Sequence, residues 1–251
     1  DELEAPLGVL TFEPHPREFL HPDDAPTRIT GMVDKLTRLA KTGLDRVLVV
    51  RFNPAFAELG PDAFVDDVLD GALGARTIVV GEDFRFGRGG VGDFTRLCER
   101  GARAGMSVDH RESFQHDGER VSSSRIRACL ANGELEQAAM LLGAPYSIQG
   151  RVAFGRQLGR TIGFPTANVR LNRARPPVSG VFAVRVRRAS GGDLLPGVAN
   201  VGRRPTVNGE GVQLEVNLFD FDEVIYGERI AVELAHRIRP EQKFASLDAL
   251  K

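Results

Sequence analysis

Hydrophobic positions along the chain follow one rhythm up to about residue 143 and another beyond it. In the first stretch, short apolar runs alternate with amphipathic segments. Leu7-Gly-Val-Leu-Thr-Phe12, Val47-Leu-Val-Val-Arg-Phe52 and Thr77-Ile-Val-Val-Gly81 are near-continuous apolar runs of strand length. Between them, Met32, Val33, Leu36, Leu39 and Ala40 recur at helical spacing with Gly43 as a stop. Pro61 opens a second helical pattern with Phe64, Val65, Val68 and Leu69 on one stripe. Continuous apolar strands separated by helices predict a parallel sheet with helices on both faces. Two further helices are expected, one with Ile126, Cys129 and Leu130 inward and Asn132-Gly133 as its stop, the other from Glu134 to Leu142.

After the break at Gly143-Ala-Pro-Tyr146 the period falls to two. Ile148, Gly150, Val152 and Phe154 suit a half-buried edge strand, and further short strands are expected at 181–187, 197–201, 212–219 and 230–236, separated by glycine and proline turns. This is the pattern of a small antiparallel barrel. In Val212-Gln-Leu-Glu-Val-Asn-Leu218 strict alternation sends Val212, Leu214, Val216 and Leu218 to the core and leaves Gln213, Glu215 and Asn217 on the opposite face. The domain boundary is accordingly placed between 143 and 144, with an α/β domain over 1–143 and a β-barrel domain over 144–251.

Composition narrows the field. A chain of 251 residues with 42% hydrophobic content can build one large or two medium cores. Thirty-three basic against thirty-four acidic residues give no basic excess, which argues against nucleic acid as a partner. Cys98 and Cys129 have neither zinc nor redox spacing and are expected to be buried, inert thiols. His15, His21, His110, His116 and His236 form no metal-ligand spacing. No apolar run reaches membrane length and no signal peptide opens the sequence, so a cytoplasmic protein is the default, and nothing in the sequence fixes an oligomeric state.

The chemistry-bearing stretch is Gly155-Arg-Gln-Leu-Gly-Arg-Thr-Ile-Gly-Phe-Pro-Thr-Ala-Asn168. Its glycines let backbone amides close on an anion that Arg156 and Arg160 neutralise. Phe164-Pro165 forces the chain extended, unlike the glycine loops that open helices in Walker and dinucleotide motifs. Thr166 and Asn168, two apart on an extended segment, offer a hydroxyl and an amide oxygen that can hold hydrated Mg²⁺ beside phosphates. The plain alternative is a glycine-rich turn. In the first half, sites of parallel sheets gather at the carboxyl ends of strands, where His15, Asn53 and Gly81-Glu-Asp-Phe-Arg-Phe-Gly87 fall. That last loop reads either as the wall of a ring-binding site or as a structural turn. Val121-Ser-Ser-Ser-Arg-Ile-Arg127 reads either as a helix cap or as a triphosphate site at a helix N-terminus.

Together, Thr11-Phe-Glu-Pro-His-Pro16, Gly81–Gly87, Ser122-Ser-Ser-Arg-Ile-Arg127, Phe164-Pro-Thr-Ala-Asn168, Asn200-Val-Gly-Arg-Arg-Pro-Thr206 and Leu214-Glu-Val-Asn-Leu218 resemble, in order, the motifs of bacterial bifunctional riboflavin kinase/FMN adenylyltransferases, the FAD synthetases. The resemblance implies a Rossmann-like nucleotidyltransferase domain followed by a riboflavin kinase barrel, with ATP, riboflavin and FMN as small-molecule substrates and Mg²⁺ as cofactor. It implies that Glu215 is the kinase base, that Gly155, Arg156, Gly159 and Arg160 form the phosphate loop, that Thr166 and Asn168 serve metal and phosphate, and that Arg239 lies by the flavin. For adenylyl transfer it implies His15, Asp83, Ser123, Ser124 and Arg127, with Ser124 where threonine is usual. The family's opening Gly-x-Phe-Asp-Gly-x-His-x-Gly-His stretch has no counterpart here. About one strand–helix unit is therefore expected to be lacking, and the chain to be a fragment or processed form of a longer protein. Two alternatives stand beside the bifunctional enzyme: a riboflavin kinase with an inactive α/β domain, and a flavin- or nucleotide-binding regulator without turnover.

Overall fold

A computed structural model describes residues 5–153, 166–171, 177–206 and 209–242, with backbone alone over 203–206 and 209–211. In chain order the elements are β1 Gly8–Glu13, α1 Pro16–Leu20, α2 Met32–Leu39, β2 Arg46–Arg51, α3 Pro54–Ala57, α4 Pro61–Ala63 running on in wider turns over Phe64–Ala72, β3 Thr77–Gly81, α5 Phe94–Arg103, β4 Ser107–Arg111, β5 Gln115–His116, β6 Glu119–Arg120, α6 Ser123–Asn132 and α7 Leu135–Leu142. Six longer strands follow: β7 Ser147–Ala153, β8 Ala167–Arg170, β9 Gly180–Arg188, β10 Leu195–Thr206, β11 Gly209–Leu218 and β12 Arg229–Arg239. By contacts the chain divides into two compact units, Asp1–Pro26 with Leu44–Val121, and Thr27–Gly43 with Ser122–Lys251. The packing units therefore do not follow the 143/144 division of the sequence, because α2, α6 and α7 all go with the barrel.

In the first unit β1 pairs with β2 in parallel, from Gly8↔Arg46 to Glu13↔Arg51, and β3 pairs in parallel with β4, from Thr77↔Ser107 to Gly81↔Arg111. Among the described residues the two pairs are not bonded to each other, so the expected continuous sheet exists as two parallel ribbons. Continuous apolar strands are fully covered only with neighbours on both sides, and Leu48, Val49 and Val79 stand exposed here. The core is Phe64, Val65, Leu69, Phe86, Leu97 and Met106, so the α4 stripe faces inward as its spacing predicts. A chain of rings joins it: Phe12 to Phe56 at 5.5 Å and Phe64 to Phe86 at 5.4 Å in tilted contact, and Phe56 to Phe64 edge to face at 6.2 Å. Cys98 is only half-buried, because its neighbour Leu97 takes the core position; the expectation of a buried thiol is corrected there.

The second unit holds a closed six-stranded antiparallel barrel in the order β10-β11-β8-β7-β12-β9. Alternation builds it: Ile148, Val152, Phe182, Val186, Leu214, Val216, Ile230 and Val232 are all at most 2% exposed, while their neighbours along each strand face outward. β7 pairs with β8 on one side and β12 on the other, so it is not the edge strand that its pattern suggested. A barrel has no edges. Cys129 is buried beside Leu130 in α6, and burial followed by a hydrogen bond with Glu134 pushes its thiol up, away from the thiolate.

Helix α2 departs from its pattern. Val33 and Leu36 are exposed, and the buried residue is Asp34, at 3% exposure. Its carboxylate accepts the Gly31 N–H at 3.0 Å, closing the first turn of the helix, and the Gln149 N–H of β7 at 3.2 Å. The Tyr146 hydroxyl donates to the Ile29 carbonyl at 3.1 Å, and Arg127 Nε to that of Thr27 at 2.6 Å. Polar bonds to backbone, rather than the apolar stripe, thus fix Thr27–Gly43 to the barrel unit. Asp34→Ala should orphan two N–H groups at once and lower stability by about 2–4 kcal/mol, read from urea unfolding. A loss below about 0.5 kcal/mol would mean water replaces the carboxylate.

Candidate functional site

Barrel register assembles a polar belt on the outer wall. Glu215 of β11 sits opposite Asn168 of β8 on one side and Asn200 of β10 on the other; Asn200 in turn faces Val181, and Val181 faces Arg239 of β12. Glu215 lies between Leu214 and Val216 and Asn200 between Ala199 and Val201, both pairs at 0% exposure, whereas Arg239 follows a break in register and the exposed Ile238. Directly opposed residues stand about 5 Å apart, so Asn168, Glu215 and Asn200 form one contiguous patch, with Arg239 about 10 Å beyond Asn200. Gln213, on the same face as Glu215, donates its Nε2 to Glu215 Oε1 at 2.8 Å and also to Asn168 Oδ1. The belt thus gathers Asn168, Glu215 and Arg239, and adds Gln213 and Asn200. Strand alternation alone could have named Gln213; Asn200 needed the register.

Next to the belt, at the start of β8, a cavity of about 240 Å³ opens into the barrel end. Val152, Ala167, Val216 and Leu218 supply apolar walls, Thr166 adds a hydroxyl, and the rest is the Phe221–Tyr226 loop. Backbone bonds fix the ends of that loop: Phe219 N–H to Pro196 O at 3.0 Å, Gly227 N–H to Val152 O at 2.8 Å, and Val152 N–H to Glu228 O at 2.9 Å. Arg188, at the end of β9, reaches its middle. Nη1 meets Glu223 Oε2 at 2.8 Å, the guanidinium grips Glu228 through Nε at 3.2 Å and Nη2 at 3.0 Å, and its carbon lies 5.5 Å from the Phe221 ring centre. Ser190 Oγ donates to Glu228 at 2.5 Å. Arg188 and then Ser190 hold the Glu228 carboxyl down to about 2. Neither Arg188 nor Glu228 belongs to any recognisable motif, so sequence reasoning passed over both.

The residues expected to serve adenylyl transfer fall in both units. In the first, His15 caps α1: Nδ1 accepts the Arg17 N–H at 3.2 Å, and the His15 N–H donates to Glu18 at 3.4 Å. Asp83 is paired with Arg120 at 2.6 Å. In the 81–87 loop, Phe86 is buried against Phe64, with Phe84 stacked on it at 5.5 Å. The first unit's core takes up those rings. In the second unit, Ser123 and Ser124 open α6; the cap itself is Ser122, whose hydroxyl accepts the Arg125 N–H at 3.2 Å. Arg127 is tied to Thr27 as described. Gly155, Arg156, Gly159 and Arg160 lie outside the described residues, as does Leu247-Asp-Ala-Leu-Lys251, whose sequence pattern reads as part of a helix. Among those described, no group of three or more His, Cys, Asp or Glu could hold a metal ion, and no helix is long and apolar enough to cross a membrane.

A barrel that sets a carboxylate, three carboxamides and an arginine on one belt beside a ring-sized cavity, in one chain with a parallel α/β unit, fits a small-molecule transferase of two parts. Comparison with known families agrees: residues 1–125 match the FAD synthetase family and residues 142–251 the riboflavin kinase family. A relative from Haemophilus influenzae, a bifunctional riboflavin kinase/FMN adenylyltransferase, is 47% identical over the whole chain and 81% of its own length. Proteins of the same description from Escherichia coli K12 and Bacillus subtilis are 48% and 40% identical, over 98% and 97% of this chain and 78% of their own lengths. A crystal structure described as a macrolide-efflux protein from Streptococcus pneumoniae superposes with a TM-score of 0.76 at 32% identity, covering 98% of this chain and 79% of that one. The chain belongs to the bifunctional riboflavin kinase/FMN adenylyltransferase family, and is a transferase of flavin cofactor biosynthesis.

The lowered Glu228 carboxyl carries a pH signature. A carboxylate whose folded value lies below its ordinary 4.5 contributes stability above pH 4.5 and loses it as pH falls towards 2. The stability gap between the wild type and Glu228→Gln should therefore narrow across that window, as followed by thermal melting at stepped pH. A gap independent of pH would show that Glu228 acts through shape alone.

Proposed function

We infer that the barrel unit transfers the γ-phosphoryl group of ATP to the ribityl 5′-hydroxyl of riboflavin, giving FMN, and that the remaining sites serve adenylylation of FMN to FAD. The observation that carries the first step is the belt: a half-buried carboxylate, Glu215, between two carboxamides and beside a cavity. Glu215 is the general base. Gln213 holds its Oε1, which leaves Oε2 to take the hydroxyl proton as the oxygen attacks in line. Arg239, further round the belt, serves the flavin side; Thr166, which lines the cavity, serves the nucleotide side. The cavity's apolar walls and its aromatic loop suit the purine of ATP.

The donors fit Mg²⁺ arriving with the nucleotide. The Asn168 carboxamide oxygen and the Thr166 hydroxyl are neutral oxygen ligands, adequate for a hard cation whose charge the phosphates balance. Bound there, the metal would neutralise charge on the phosphoryl oxygens. Gly155, Arg156, Gly159 and Arg160 close on the phosphates in this reading.

For adenylyl transfer, Ser123, Ser124 and Arg127 at the start of α6 are assigned to the triphosphate, where helix amides favour anions, and His15 and Asp83 are assigned to nucleotide and flavin contacts. In function, though not in packing, the chain divides at 143/144.

Incubating the chain with riboflavin, ATP and Mg²⁺ and separating the flavins by chromatography tests both halves. FMN is expected; FAD in addition supports the second step, and absence of both from a folded sample overturns the reading. Glu215→Gln should cut kcat for FMN formation by about 10²–10⁴-fold while riboflavin binding, followed by flavin fluorescence, stays within about twofold. Retained turnover would remove Glu215 from the role of base.

A further inference from the structure

We propose that Arg188 is a positioning residue for nucleotide recognition, holding the Phe221–Tyr226 loop in the shape that walls the cavity beside Thr166. The inference rests on the reading of that cavity as the purine site. Three observations carry it. The loop supplies Phe221, Asp222, Glu223, Val224, Ile225 and Tyr226 to the cavity, so its conformation determines the cavity's shape. Backbone bonds to Pro196 and Val152 secure its two ends, and the Glu228 N–H on the Ile225 carbonyl at 3.1 Å, with the buried Ile225 side chain, holds its last part, which leaves Asp222, Glu223 and Val224 as the exposed middle. Among the described residues Arg188 joins the barrel frame to that middle stretch, because one guanidinium binds Glu228 at the loop's base, Glu223 at its middle and the face of Phe221.

The geometry gives Arg188 two separable duties. Its fork on Glu228, backed by Ser190, joins β9 to the start of β12 and belongs to the barrel frame. Its Nη1 bond to Glu223 and its cover over Phe221 belong to the loop. Only a planar, multi-donor cation serves both, since lysine presents a point charge that cannot reach two carboxylates in fixed directions. Fixing a loop before the ligand arrives removes an ordering cost that would otherwise be taken from affinity. Loss of the clamp should therefore appear in nucleotide binding and not in the chemical step.

The test is steady-state FMN formation by the full chain with ATP and riboflavin varied in turn. Arg188→Ala should raise KM for ATP about tenfold, leave kcat and KM for riboflavin within about twofold, and lower the melting temperature; Arg188→Lys should recover stability better than ATP affinity. Glu223→Gln keeps the Arg188–Glu228 fork. It should raise KM for ATP without lowering the melting temperature, and its effect should not add to that of Arg188→Ala if both act through the one contact. Unchanged KM for ATP in Glu223→Gln overturns the proposal, even if Arg188→Ala fails to fold, because Arg188 would then serve the frame only. A rise in riboflavin KM alone also overturns it, by assigning the cavity to the flavin. If the wild type makes no FMN, the reading of the site has failed, whereas normal wild-type turnover with unaffected variants rejects the clamp alone.

Discussion

Closure of the barrel is the constraint on which the rest depends. Six strands joined edge to edge have only an inside and an outside, so every second side chain along each strand is committed to one or the other. The inside is filled by Ile148, Phe182, Leu214, Val216 and their neighbours, each worth about 1.5–3 kcal/mol when fully buried. A slip of one residue in β11 would turn Leu214 and Val216 out to water and Glu215 into the core. The apolar residues that do no chemistry thereby guarantee the face on which the chemistry stands. Glu215, Asn168 and Asn200 come from sequence positions up to 47 residues apart, yet register leaves them no other arrangement.

Polar contacts have a different duty in this molecule. The surface pairs of the first unit, such as Arg96 with Asp62, sit in solvent, where screening and side-chain freedom cancel most of their attraction. The polar contacts that matter point at backbone or at loops: Asp34 on two amides, Tyr146 on a carbonyl, Arg188 on the exposed middle of a loop. They add less than burial does, but they choose one geometry from several that burial would permit.

What the sequence discloses follows from this division. The barrel strands were legible because period-two alternation is dictated by the inside–outside rule, and α6 and α7 because Gly133 and Gly143 stop them with φ of 82° and 69°. Glu215 was legible as a carboxylate on a polar face, and its motif gave it meaning. The alternation of β7 could not disclose that it has neighbours on both sides, since pairing is decided by strands that follow it in sequence. The apolar stripe of α2 misled because Asp34, a polar residue within a helical pattern, is what the fold buries. Arg188 and Glu228 lie 40 residues apart and have no motif. Only the closing of the barrel brings them together.

That Thr27–Gly43 packs in the barrel unit gives the molecule a discontinuous architecture in time as well as space. The segment leaves the ribosome about a hundred residues before Tyr146 and Gln149, the groups it must bind, and the first unit's strands are made in between. Its helix, two turns long and carrying exposed Val33 and Leu36, cannot hold its shape alone for that interval. The barrel unit is therefore completed by recruiting an early piece of chain at the end of synthesis, which commits both halves to one polypeptide. A chain cut at 143/144 would separate the Gln149 amide and the Tyr146 hydroxyl from their partners, so the two halves are joined by construction and not merely by a linker.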